Sequence, residues 1–224
     1  MNETTLPPLQ KESGGIMEVL RIAIPLVLAS AGHAVNLFTD RMMLGWYSDD
    51  AVSAAFPAGV TAFAICCFFV GTVGYTNSFV AQYVGAGRND RVGVSVWQGI
   101  FLALIGGFIM TTGYFWAQPL FDLFRHEPGI RAQEVMYFRI LTVGSVIPLL
   151  IGALSSFWTG RGKTNMIMIV NFIITGCNIP MNYMLIFGHC GLPEMGIAGA
   201  AFGTLGSELI GLGVMVYFFF IYRK

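Results

Sequence analysis

The sequence predicts an all-α, polytopic membrane protein with six transmembrane helices, on three observations. Of 224 residues, 55% are hydrophobic and only 11% charged, whereas a soluble domain is about a quarter charged. Six stretches reach the roughly 20 mostly apolar residues that a spanning helix needs. The short alternating segments of a membrane β-barrel are not found.

Residues 1–15 (MNETTLPPLQKESGG) are polar with mixed charge, unlike the positively charged start of a signal peptide, and read as a short cytoplasmic tail. The six spans are predicted at about 16–45, 52–84, 94–118, 134–158, 165–187 and 196–222, forming one lobe over 16–222. The first two are long enough to tilt or bend, and Pro25 is a bend site in the first. The 28 glycines suit close helix packing in lipid, where small residues let backbones approach.

Orientation follows from the lysines and arginines flanking the spans. With the N-terminus inside, the cytoplasmic side holds Lys11, Arg21, Arg88, Arg91, Arg161, Lys163, Arg223 and Lys224. The opposite side holds Arg41, Arg125, Arg131 and Arg139. Both termini are therefore expected in the cytoplasm of a cell inner (plasma) membrane, with 45–52, 119–133 and 188–195 facing outward. An internal echo, Ile24-Pro25-Leu26-Val27-Leu28 against Ile147-Pro148-Leu149-Leu150-Ile151, fits a three-plus-three helix duplication.

Several chemistries are excluded. Formal net charge is zero with no basic block, so no nucleic-acid partner is expected. Cys66, Cys67, Cys177 and Cys190 form no C-x-x-C pair, and His189-Cys190 reads as a loop, so neither a structural metal nor a disulfide framework is indicated. Gly162-Lys163-Thr164 ends like a phosphate loop, but Phe157 stands where that motif needs glycine. Gly85-Ala86-Gly87 lacks the third glycine of a dinucleotide site. No cofactor is expected. An enzyme would need a nucleophile–base or metal constellation, and none is visible.

What remains is polar residues inside predicted spans. Asp40 and Glu208 are the two carboxylates left once loops are removed. A charge at mid-membrane costs about 2.5–3.5 kcal/mol on insertion scales, and such groups usually face a bundle interior or a watery cavity. Asn36 lies one turn before Asp40, on the same face. His33 lies two turns before it, either as a proton relay or as a packing histidine. In the fifth span Asn171, Asn178 and Asn182 recur, and Thr204 with Glu208 repeats the i, i+4 spacing in the sixth. Oxygen ligands of this kind suit sodium, and Pro180 frees a backbone carbonyl nearby. A buried carboxylate among neutral oxygens can also exchange a proton for a cation, since burial favours its neutral form and a cation its ionised form. The other reading makes the asparagines interhelical glue.

Four stretches together resemble the multidrug and toxic compound extrusion (MATE) transporters of bacterial type. They are Ile24-Pro25-Leu26 with Phe38-Thr39-Asp40-Arg41-Met42-Met43-Leu44-Gly45, then Gln82-Tyr83-Val84-Gly85-Ala86-Gly87, then Ser156-Phe157-Trp158-Thr159-Gly160-Arg161-Gly162-Lys163-Thr164. The fourth runs Asn178-Ile179-Pro180-Met181-Asn182-Tyr183-Met184-Leu185-Ile186-Phe187-Gly188, continued by Gly196-Ile197-Ala198-Gly199-Ala200-Ala201-Phe202-Gly203-Thr204.

The resemblance implies a secondary active antiporter that exports organic cations and drugs in exchange for sodium ions or protons. It implies two six-helix lobes, of which this chain is the N-terminal one. The second lobe is expected to be absent here and supplied by the same or another chain. It implies a cation or proton site at Asp40, Asn178, Asn182 and Thr204, with transient sodium at the first three. Glu208, Asn36 and His33 are secondary candidates, and Pro25 bends the first helix. Some members carry an acid where this chain has Asn182, so the choice between sodium and proton stays open. The alternatives are a flippase of lipid-linked sugars, which would line its cavity with more arginine, and an inactive half-transporter that acts only with a partner chain.

Overall fold

The computed structural model describes residues 15–222. The predicted tail up to residue 14, with Lys11, lies outside the described residues, as do Arg223 and Lys224. Among the described residues nine helices run in order: α1 Ile16–Tyr47, α2 Asp49–Gly74, α3 Thr76–Gly85, α4 Asn89–Thr111, α5 Gly113–Asp122, α6 Pro128–Gly144, α7 Val146–Thr159, α8 Asn165–Phe187 and α9 Ile197–Tyr222. Six stretches among the described residues are long and apolar enough to cross a membrane: Val19–Tyr47, Asp49–Gly85, Asn89–Thr111, Pro128–Thr159, Asn165–Phe187 and Ile197–Tyr222. The protein is an all-α, multi-pass membrane protein.

Three predicted spans are divided by a one-residue break, and each break has a local cause. Tyr75 separates α2 from α3 just after Gly71 and Gly74, residues that hold helical backbone weakly. Thr112 separates α4 from α5, where Thr111 Oγ1 donates to the Gly107 carbonyl (2.9 Å) and Thr112 Oγ1 to that of Ile109 (2.7 Å). Hydroxyls that bond back in this way bend helices. Ser145 separates α6 from α7, because Pro148 has no N–H to give the carbonyl of Gly144. The first connection is also shorter than expected: only Ser48 stands between α1 and α2.

Three of the four arginines assigned to the outward side, Arg41, Arg131 and Arg139, lie within helices rather than connections. Arg41 lies within α1, with its guanidinium carbon 6.0 Å from the Phe56 ring centre. Arg139 lies within α6, where its Nε donates to the Tyr114 carbonyl at 3.1 Å.

Lipid gives helices no hydrophobic reason to associate, so close packing through small residues holds this bundle. The buried face of α2 is alanine: Ala51, Ala54, Ala55, Ala58 and Ala62. On α9 the glycines face α8, and a side-chain carbon at Gly199 would sit 2.5 Å from the Leu185 carbonyl oxygen. At Gly203 such a carbon would collide with the amide oxygen of Asn182. Three apolar clusters form the core among the described residues, one of them around Val73, Ala103 and Leu149, and the other two draw on α1, α8 and α9. Of these two, one includes Leu44 of α1, Ile186 of α8 and Ala200 of α9. The other includes Ala29, Ile174 and Met215 of the same three helices. Between them, along α1, α8 and α9, lies a polar layer.

Candidate functional site

The polar layer is built from one face of each helix. Asn36 and Asp40 are a turn apart on α1, and Asn178 and Asn182 a turn apart on α8. Thr204, Ser207 and Glu208 share a face of α9. Because Gly203 lacks a side chain, α8 approaches α9 closely enough for Asn182 and Thr204 to reach Asp40 together.

Asn182 Nδ2 donates to Asp40 Oδ1. The same nitrogen donates to Asn178 Oδ1 at 3.1 Å. Asn178 Nδ2 donates to Thr204 Oγ1 at 3.4 Å, and that hydroxyl lies 3.4 Å from Asp40 Oδ2. Thr204 also reaches back to the Ala200 carbonyl at 3.0 Å, so its one proton serves two acceptors. Asn178 and Asn182 are fully buried and Asp40 is 6% exposed. Two buried amide oxygens in this layer, Asn36 Oδ1 and Asn182 Oδ1, have no hydrogen-bond partner. Buried polar atoms are nearly always paired, so two orphan oxygens beside one carboxylate are unusual.

The cluster borders a cavity of about 220 Å³, whose wall includes His33, Asn36, Asp40, Pro148, Thr204 and Glu208. Of the residues singled out from sequence, the structure thus joins Asp40, Asn178, Asn182 and Thr204 by hydrogen bonds. Asn36, His33 and Glu208 stand around the cavity beside them. Pro25 is buried in the first half of α1, away from the cluster. The oxygens gathered here are carboxylate, amide and hydroxyl, the set that hard cations take. Among the described residues no group of three or more His, Cys, Asp or Glu could hold a metal, so a tight transition-metal centre is not what this arrangement offers.

A profile of the MatE family matches residues 25–184, well over half of the sequence. The chain belongs to the MatE family. This MatE chain is 28% identical over 204 residues to a probable multidrug resistance protein, NorM, of Thermotoga maritima, covering 91% of this chain and 44% of that protein. It is 31% identical over 198 residues to the multidrug resistance protein MdtK of Klebsiella pneumoniae, covering 88% of this chain and 43% of that one. The outward-facing structure of a multidrug resistance MATE family transporter of the MOP superfamily has the same fold over 96% of this chain and 49% of its own, with a TM-score of 0.84 at 20% identity. The chain therefore spans under half the length of the curated relatives it matches. MatE proteins are transporters rather than enzymes.

Within the MatE match lie Pro25, Asp40, Asn178 and Asn182, while Thr204 and Glu208 lie beyond it. The sequence reading left out Thr175, which lines the cavity and donates to the Gly32 carbonyl at 3.3 Å. It also left out Ser207, which donates to the Thr204 carbonyl at 2.8 Å. A signal for Thr175 was present, since 171, 175, 178 and 182 are spaced four, three and four, one helical face. A second buried carboxylate, besides Asp40, was missed as well. Glu134 is fully buried, with Oε1 2.7 Å from His126 Nδ1 and Oε2 unpartnered. It sits in the first turns of α6, which the sequence reading treated as the edge of a span.

Proposed function

We propose that this chain is one lobe of a secondary active antiporter that exports organic cations or drugs in exchange for sodium ions or protons. The supporting observation is the convergence of Asp40, Asn178, Asn182 and Thr204 on one buried point beside a cavity. Its relatives are named multidrug resistance proteins. In this reading Asp40 is the switchable charge. It is held by the Asn182 N–H and the Thr204 hydroxyl, and a proton on it removes the charge. A half-turn of the Asn182 amide exchanges its donated N–H for its oxygen, which has no partner now. Asp40, Asn182 and Asn178 then offer oxygens to a sodium ion, with Thr204 Oγ1 beside them. Glu208 adds negative charge to the cavity through which the ion arrives.

A lobe that binds the coupling ion needs a second lobe to enclose substrate, supplied by the same or another chain. Both termini are assigned to the cytoplasm of the plasma membrane. The test is transport by the complete assembly in proteoliposomes, with a fluorescent organic cation inside and an imposed sodium or proton gradient. Export driven by either gradient supports antiport and names the coupling ion. Export indifferent to both sinks it.

A further inference from the structure

The end of the bundle that carries the α7–α8 turn holds a second pocket, of about 630 Å³, separate from the Asp40 cavity. Arg21 from the start of α1, Arg161 and Lys163 from the turn, and Asn165 from the start of α8 line it, with Trp158 and Tyr222 at the ends of α7 and α9. Three cations share one concavity. Among the described residues none of the three is ion-paired. Like charges held together without a counter-ion repel, and the arrangement is relieved by an anion.

Three further features point the same way. Trp158 is only 2% exposed, and its indole N–H has no acceptor. A buried donor of this kind usually has a partner. Helix α8 begins at Asn165 with no side-chain cap, so the positive end of its dipole borders the pocket. Arg161 is fixed by stacking on Phe157, its guanidinium carbon 3.9 Å from the ring centre. Burial lowers its pKa from the ordinary arginine value, the mark of a cation that has lost water without gaining an anion. The pocket is also braced, since Thr164 Oγ1 donates to the Ile22 carbonyl at 3.3 Å and ties the start of α8 to α1.

We infer that this pocket binds the phosphate of one anionic phospholipid. Phosphate matches the three cations, the indole N–H and the helix start. A lipid rather than a free anion is indicated by position. The pocket lies where spans end, and its wall includes the exposed Ile22 and Ile169, apolar surface that suits an acyl chain. Trp and Tyr at this level are typical of the membrane interface, and basic pockets between helices there recognise anionic head groups. The inference is independent of ion coupling at Asp40.

Native mass spectrometry of the purified protein in neutral detergent tests it, with phosphatidylglycerol, phosphatidylcholine of the same chains and inorganic phosphate as probes. One saturable phosphatidylglycerol is expected, bound at least about tenfold tighter than phosphatidylcholine. Lys163→Gln and Arg21→Gln should each weaken it about fivefold, the worth of one cation near an anionic head group. Trp158→Phe keeps an aromatic ring but removes the indole N–H, and should also weaken phosphatidylglycerol binding while phosphatidylcholine binding is unchanged. Equal binding of the two lipids overturns the inference, as does full affinity in Lys163→Gln. Inorganic phosphate that binds as tightly as the lipid overturns the lipid assignment in favour of a free-anion site.

Discussion

Asn182 donates its amide to the Asp40 carboxylate across 142 positions of sequence, joining α8 to α1 in the buried layer between two of the apolar clusters. That bond depends on an acceptor at residue 40 but not on its charge. Replacing Asp40 by asparagine keeps size and an acceptor oxygen while removing titration. The expected outcome for Asp40→Asn is a folded protein with near wild-type thermal stability, in which gradient-driven dye export falls to background. Export at the wild-type rate across an imposed ion gradient would remove Asp40 from the coupling step.

The approach of α8 to α9 gives a second test that needs no transport. A methyl at Gly203 meets the Asn182 amide oxygen, whereas one at Gly213 meets nothing within 4 Å. Overpacking a tight contact costs about 1–3 kcal/mol. Gly203→Ala is therefore expected to lower the unfolding temperature and weaken sodium binding together. Gly213→Ala should be neutral or stabilising by up to about 1 kcal/mol, since alanine favours helix. Equal behaviour of the two variants in a thermal melt would mean that the α8–α9 approach does not set the site.

Much of this was legible in the chain, and what was not has physical reasons. Spans show because an 18-residue apolar run has few other meanings, and Asp40 shows because a carboxylate inside one is costly. The helix breaks at Tyr75, Thr112 and Ser145 did not show, because apolar composition is indifferent to a one-residue interruption that lipid and neighbouring helices tolerate. Glu134 was hidden by its position near a span's end, where sequence alone cannot tell a wet glutamate from a buried one paired with His126. Arg41 was hidden for the converse reason. Counted with a connection, it lies inside α1 with Nη1 buried and unpartnered.

Cys190 tests the orientation with a native residue. It is exposed, in the connection between α8 and α9 that the charge pattern assigns to the outside. With Cys66, Cys67 and Cys177 replaced by alanine, an impermeant maleimide added to intact cells is expected to label Cys190. A cysteine at the exposed Gly87, in the α3–α4 turn, should label only after the cells are opened. The reverse pattern inverts the topology and moves the basic pocket to the other leaflet.

Asn178 separates a ligand from glue. Its Oδ1 accepts from Asn182 and its Nδ2 donates to Thr204, so truncation disturbs the cluster in either role, and lost stability alone decides nothing. Sodium linkage does decide. An ion that binds only the folded state stabilises it by mass action, about 2.7 kcal/mol at a hundred times Kd. If Asn178 Oδ1 ligates sodium, the sodium-induced rise in unfolding temperature shrinks in Asn178→Ala, whatever the baseline. If Asn178 is interhelical glue, the baseline falls and the sodium-induced rise persists in full. Leu209→Ala supplies the control, because that exposed side chain stands outside the hydrogen-bonded cluster. The measurement is a thermal melt of all three proteins with sodium against choline chloride at constant ionic strength. An undiminished sodium effect in Asn178→Ala would leave the ion to Asp40, Asn182 and Thr204.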